Sequence, residues 1–226
     1  MQTKNIDNFP FIYYSKTKYD IDEMTTRSQD FFEWMNQRRT VRDFSDKPIP
    51  ESVIEKIILS ASTAPSGAHK QPWTFCVVKN PAIKKQIRIA AEKEEKESYE
   101  NRMTEEWLKD LQPIGTDWNK PFLETAPYLI IIFKRSYELE NNNYKHQNYY
   151  VTESCGIACV FLLTAIHNAG LVALTHTPSP MNFLAKILNR PENEKPFLLI
   201  PIGYPANECW VPDLKRKSIA EVCVWI

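Results

Sequence analysis

Two short segments concentrate the side chains that could do chemistry in this chain. Arg38-Arg39-Thr40-Val41-Arg42 offers three guanidiniums within five residues. Pro65-Ser66-Gly67-Ala68-His69-Lys70-Gln71-Pro72-Trp73 is a Pro/Ser/Gly turn that closes a helical stretch and leads into the strand Trp73–Val78. Like charges this close repel, and a phosphate removes the repulsion because guanidinium forks match its oxygens bidentately. The alternative is a solvated helix end with favourable dipole placement. In the turn, Gly67 permits backbone geometry closed to other residues, and its N–H groups could hold an anionic oxygen; an ordinary helix-to-strand turn is the plainer reading.

A second set is scattered. Glu95 and Tyr99 are four apart, hence on one helical face, and Lys120 follows further along. A carboxylate, a phenol and an ammonium could grip a zwitterion, each charge meeting its opposite. The same stretch holds Glu92, Glu94, Glu97, Glu100, Glu105 and Glu106, which also fits a charged, solvated face. Thr175-His176-Thr177-Pro178 follows a short apolar strand, and its hydroxyls could reach a cofactor ring or simply cap a turn. His176 has no carboxylate near it in sequence, so it is not assigned as a general base. Lys215-Arg216-Lys217 either completes a phosphate site or is plain surface.

The composition bounds these options. A chain of 226 residues with 43% hydrophobic content builds a substantial core. Lys plus Arg equals Asp plus Glu at 28 each, so no global field favours nucleic acid or an anionic membrane. The N-terminus lacks a basic region followed by an apolar run, and the longest strongly apolar stretch, Gly156 to Ile166, falls short of a bilayer span. A soluble, cytoplasmic protein is expected. Five cysteines in apolar surroundings read as buried free thiols. Cys155 and Cys159 lie one helical turn apart, but with no second pair and no spaced histidines a metal site is not expected. None of the five glycines has a partner at dinucleotide-fingerprint or P-loop spacing, so side chains must hold any phosphate.

The elements that position these residues follow from periodicity. Residues 1–24 read as extended, packing on the domain or on a partner subunit, and 25–226 as one domain. Helices are expected at Met24–Gln37, at Glu51–Thr63, from Pro81 through the Glu/Lys-rich region, and at Tyr149–Asn168, which ends at Gly170. The last is apolar on nearly every side and implies burial all round, in a core or a subunit interface. Strands are expected at Trp73–Val78, Pro127–Phe133, Leu171–Leu174, Phe197–Ile202 and Ile219–Trp225, with Pro127–Phe133 central and covered on both faces. A lid is expected at about 92–120. The sum is an α+β domain with a mixed sheet.

From about Ser28 to Ile226 the sequence resembles the iodotyrosine deiodinase family of the flavin-dependent nitroreductase superfamily. The matching segments are Arg38–Arg42, Thr63–His69, Pro72–Phe75, Asn168–Val172 and Val211–Lys217. The resemblance implies a nitroreductase-like fold, a mixed, mostly antiparallel sheet flanked by helices, in an intertwined homodimer that binds FMN at its interface. By position, Arg38, Arg39, Thr40, Arg42 and Arg216 would hold the phosphate and the pyrimidine edge. Pro65, Ser66 and Gly67 would lie along the cofactor, and Thr175, His176 and Thr177 would place donors near the ring, a threonine hydroxyl approaching N5 and favouring one-electron steps. Glu95, Tyr99 and Lys120 would bind the zwitterion of a halotyrosine, and the Ala68 N–H its phenolate. The implied reaction is reduction of 3-iodotyrosine to tyrosine and iodide, with electrons from a reductase or NAD(P)H; a general FMN-dependent nitro or quinone reductase is the alternative. Vertebrate members carry a membrane anchor not seen here, so a soluble bacterial member is implied.

Overall fold

The computed structural model describes residues 2–139 and 144–226, and the chain divides into two compact units, Met1–Arg38 and Arg39–Ile226. In the first, strands β1 (Thr3–Ile6) and β2 (Phe9–Ile12) form an antiparallel hairpin. Asp7 and Asn8 make its turn, both left-handed at φ 49° and 67°, which matches the strand twist. Helix α1 (Ile21–Asn36) starts where the Asp20 carboxylate accepts the Glu23 N–H at 2.8 Å. Extended backbone is expected up to residue 24; the two strands are extended, and the correction is that α1 begins at Ile21. No residue of α1 is buried, and Phe31 and Phe32 are exposed.

The second unit opens with α2 (Glu51–Ala61), β3 (Trp73–Val78) and α3 (Pro81–Glu97). Pro81 sits in the first turn of α3, and the Asn80 side chain caps it by accepting from Ala82 and Ile83. A π-helical turn at Ser98–Arg102, helix α4 (Glu105–Leu111) and a 3-10 turn at Gln112–Ile114 lead to the left-handed Gly115. Short α5 (Phe122–Thr125) precedes β4 (Tyr128–Arg135), the small pair β5 (Tyr137–Leu139) and β6 (Lys145–Gln147), and the long α6 (Val151–Asn168). Strand β7 (Val172–Ala173), α7 (Asn182–Ile187), β8 (Glu194–Gly203) and α8 (Ile219–Val222) complete the unit.

The main sheet has the order β3-β4-β8-β7, all pairs antiparallel. Thr40 adds a parallel bridge to Ala173 at its β7 edge, which makes the sheet mixed. Strand β4 is central, as its unbroken apolar run requires. Tyr128, Ile130 and Ile132 face α2 and α6, packing with Ile54, Ile57, Cys159, Leu162 and Ile166. Leu129, Ile131 and Phe133 face the other layer, with Ile87 and Ala91 of α3, Phe122 and Leu123 of α5, and Leu184 of α7.

Helix α6 ends as expected, with Gly170 left-handed at φ 71°; its inward face is buried, and Ile157, Val160 and Phe161 on the other side are exposed in the single chain. Two further expectations change. Over its full length α6 is also long and apolar enough to cross a membrane, so the shorter run understated it; its inward face belongs to the sheet's core layer. Ile219–Trp225 is not a fifth strand. Glu221 accepts from both the N–H and the hydroxyl of Ser218 at 2.8 Å, and this capping box starts α8 despite the β-branched residues around it. Beyond it, Val224 and Trp225 are exposed.

Candidate active site

The arginine segment divides between the units: Arg38 ends the first, and Arg39, Thr40 and Arg42 begin the second. The backbone of residues 40–45 runs beside the sheet edge. Val41 N–H donates to Ala173 O at 3.2 Å, and Ser45 N–H to Tyr204 O at 2.9 Å. That places Arg39 and Arg42 close to the strand that leads into Thr175-His176-Thr177. A guanidinium N–H of Arg39 donates to the carbonyl of Pro212, tying this segment to the stretch before Lys215-Arg216-Lys217. Arg216 itself is exposed.

The turn after α2 is tightly built. Ala68, His69 and Gln71 are all left-handed, at φ 48°, 55° and 46°. For residues bearing a Cβ this backbone is uphill, and it persists because neighbours fix it. Gln71 N–H donates to Ser66 Oγ at 2.9 Å, and Gly67 N–H to Ser154 Oγ at 3.4 Å. Gly67 is there for lack of room: a Cβ would lie 2.8 Å from the Tyr150 ring and 2.9 Å from Tyr149 O. The hydrogen bonds of the turn take the N–H groups of Gly67, His69, Lys70 and Gln71, but not that of the exposed Ala68. Ser66 therefore shapes the loop with its hydroxyl, while Pro65 lies exposed at the loop's start.

Glu95, Tyr99 and Lys120 meet. Lys120 Nζ lies 3.5 Å from Glu95 Oε2 and 5.7 Å from the Tyr99 ring centre, and the two charged side chains are only 5% and 12% exposed. Lys120 Nζ also donates to Thr116 Oγ1 at 3.1 Å and to the Asp117 carbonyl, while the Tyr99 hydroxyl donates to Thr116 O at 3.2 Å. The solvated-face reading is thus corrected for these three, though it holds for Glu97, Glu100, Glu105 and Glu106, which are exposed. Burial raises the pKa of Glu95 and lowers that of Lys120, each against the pull of the other charge. For both, burial outweighs the attraction of the pair.

His176 turns inward between two exposed threonines, as alternation along an extended chain dictates. Thr175 and Thr177 thus present their hydroxyls on one face. The His176 backbone bonds Leu199 in both directions, at 2.8 and 3.1 Å, and its ring stands edge-on to Phe122. The sequence showed no carboxylate for it; the fold brings one, with Glu95 Oε1 4.0 Å from Nδ1. Burial, then the nearby cations Lys120 and Arg42, push its pKa down to about 3, so the ring is neutral. Nε2 is buried with no hydrogen-bond partner. Half-buried Arg42 also sits within electrostatic reach of Tyr99. In the interior of this cluster two cations face one carboxylate, with Asp43 and Asp117 on the exposed rim.

Sequence reasoning missed Arg42 as a neighbour of this cluster, and it missed Arg88, Glu92 and Thr116. Arg88, Glu92, Glu95 and Tyr99 form one stripe at helical spacing, a signal hidden by the surrounding charges. Cys155 and Cys159 lie outside the site; burial pushes both thiols up to about 12. An open pocket of about 260 Å³ near the start of α2, lined by Glu51, Ile54 and Tyr128 among others, shares no residue with the cluster.

Comparison with known proteins supplies the family. The nitroreductase family profile matches residues 35–204. The chain is 63% identical to an iodotyrosine deiodinase of Haliscomenobacter hydrossis over 95% of this chain and 96% of that one. It is 46% identical to the iodotyrosine deiodinase of Hydra vulgaris, over 96% and 82% of the two chains. Among solved structures, an oxidised iodotyrosine deiodinase bound to FMN and 3-iodo-L-tyrosine superposes with a TM-score of 0.72 at 31% identity, covering 83% of this chain and 95% of that one. Fold, sequence and residue pattern agree, and the chain belongs to the nitroreductase family, within its iodotyrosine deiodinase branch.

Proposed function

We propose that this chain is an FMN-dependent reductive dehalogenase that converts 3-iodotyrosine and related halotyrosines to tyrosine and halide. The observation that carries the reading is the meeting of Glu95, Tyr99 and Lys120 in one buried cluster. When bound, FMN supplies the two electrons that, with one proton, replace the carbon–iodine bond by carbon–hydrogen and release iodide. The donor set fits such a cofactor. Arg39 and Arg42, with Arg38 and Arg216, offer guanidiniums to a phosphate, and Thr175 and Thr177 offer hydroxyls to a flavin ring. Thr40, Pro65, Ser66, Gly67 and the His176 main chain complete that surface.

The substrate's ammonium goes to Glu95 and its carboxylate to Lys120, with Tyr99 bridging. Each ion, whose charge burial opposes, then gains a second partner of opposite sign. The Ala68 N–H donates to the phenolate oxygen, in the manner of an oxyanion hole. A lid drawn from within residues of about 92–120 excludes water when closed.

The protein acts as a homodimer, a reading supported by the apolar face of α6 that the single chain leaves exposed at Ile157, Val160 and Phe161. It works in the cytoplasm, taking electrons from a reductase or from NAD(P)H, with no nucleic-acid or membrane partner.

The test is anaerobic. The flavin-loaded protein is reduced with dithionite, 3-iodotyrosine is added, and flavin reoxidation is followed together with tyrosine and iodide release. One tyrosine and one iodide per flavin support the reading. Reoxidation by nitroarenes or quinones but not by 3-iodotyrosine would make the protein a general nitro or quinone reductase instead.

A further inference from the structure

We propose that Arg88 and Glu92 are positioning residues that fix Lys120 to helix α3, so that Lys120 belongs to the rigid frame of the site rather than to a moving lid. The inference rests on the halotyrosine reading above and names two residues that this reading does not use.

Arg88, Glu92, Glu95 and Tyr99 follow one another at spacings of four, three and four, which sets them in one stripe along the helix. The far half of the stripe, Glu95 and Tyr99, meets the Lys120 side chain. The near half meets the Lys120 main chain. Glu92 Oε1 accepts the Lys120 N–H at 2.8 Å and, on the same oxygen, Arg88 Nε at 2.6 Å. The rest of the Arg88 guanidinium spans the residues on either side of Lys120: Nη2 donates to Asn119 Oδ1 at 3.0 Å and Nη1 to Glu124 Oε1 at 3.2 Å. One fork thus holds its own helix, the residue before Lys120 and the helix that follows it.

A second cation supports the same joint. Buried Lys84, one turn before Arg88, donates to the carbonyls of Glu124 and Ala126 at 2.7 and 2.8 Å, which lie at the end of α5. Residues 119–126 are therefore fastened to α3 by three side chains. The fastenings are partly shielded, with Glu92 18% and Arg88 27% exposed in their side chains. Charged hydrogen bonds in such surroundings are stronger than on open surface.

The consequence is geometric. An ammonium at the end of four methylenes adopts many positions, and Lys120 can serve as a fixed partner for a carboxylate only if its Cα is fixed. The Glu92 carboxylate fixes it, three residues from the Glu95 carboxylate that completes the clamp. Any opening movement then stops short of residue 119, and the expected lid loses its C-terminal end.

The test compares flavin-loaded wild type, Glu92→Ala and Glu92→Gln, each with matched FMN content and circular dichroism. Two quantities are read: Kd for 3-iodotyrosine on the oxidised protein by flavin fluorescence, and KM and kcat for dehalogenation. Glu92→Ala is expected to raise Kd and KM about tenfold, with kcat at saturation changed less than threefold. Glu92→Gln keeps an oxygen for the Lys120 N–H and is expected to recover most of that loss. Equal Kd in all three proteins would overturn the proposal, as would a loss in kcat with KM unchanged. Should Glu92→Ala fail to fold, Arg88→Lys, which keeps the charge but not the fork, is expected to raise Kd severalfold, and an unchanged Kd there would overturn the proposal equally. Wild-type turnover of 3-iodotyrosine in the same assay separates this outcome from failure of the function itself.

Discussion

Replacing Glu95 by glutamine removes the carboxylate that faces the Lys120 ammonium in a cluster that also holds Arg42. At 3.5 Å and an effective dielectric constant near 20, the Coulomb attraction between Glu95 and Lys120 is about 5 kcal/mol. Desolvation opposes it, and the directions of the two shifts show which effect wins: Glu95 is harder to ionise than usual and Lys120 easier to neutralise. The net worth of the charged hydrogen bond is therefore nearer the usual range of about 1.5–3 kcal/mol. The same interaction is what a bound ammonium would gain from Glu95. Its loss raises Kd for 3-iodotyrosine roughly 10- to 150-fold. The assay is a fluorescence titration of the oxidised holoprotein, with FMN per protomer measured alongside so that lost cofactor is not mistaken for lost substrate. A Kd within threefold of wild type would refute the reasoning, because the carboxylate would then contribute nothing to the clamp.

Gly67→Ala puts a methyl 2.9 Å from a backbone oxygen that cannot move alone, and is expected to cost about 1–3 kcal/mol, seen as a lower Tm and weaker FMN retention. His176 gives a pH signature. Its folded pKa of about 3 lies below the ordinary 6.5, so its contribution is present above about pH 6.5 and is lost as pH falls toward 3. Between pH 6.5 and 4 the Tm of wild type should fall more steeply than that of His176→Gln; parallel curves would exclude the assignment. Cys155 and Cys159, pushed to about 12, hold roughly one thiolate in ten thousand at pH 8. Iodoacetamide should leave both unmodified in the native protein, by mass spectrometry, until denaturant is added.

Much of the scaffold was legible because it obeys simple periodicities. Trp73–Val78 and the apolar run of β4 could hardly be anything but strands, and Pro81 and Gly170 mark helix ends by their own stereochemistry. The errors have equally local causes. The α8 capping box overrode β-branched propensity, and the Asp20 cap started α1 earlier than its apolar face suggested. Exposure of one side of α6 was not legible, since an apolar pattern cannot say whether its own chain covers it. In the site, spacing could align Glu95 with Tyr99 but could not distinguish either from the carboxylates around them. What singles them out is the return of the chain at Lys120 and Phe122, a long-range event. The His176–Glu95 approach and the turning of Arg42 toward Tyr99 are of the same kind.

The left-handed run at Ala68, His69 and Gln71 bears on how fast and how selectively the site can work. Each such residue raises the energy of the folded chain by about 1–2 kcal/mol, and none of that can be recovered from a ligand that arrives later. The wall that would meet the phenol is thus set at synthesis, before any encounter. A ring that meets this turn meets a surface that does not reshape around it, and loses none of its binding energy to ordering a loop.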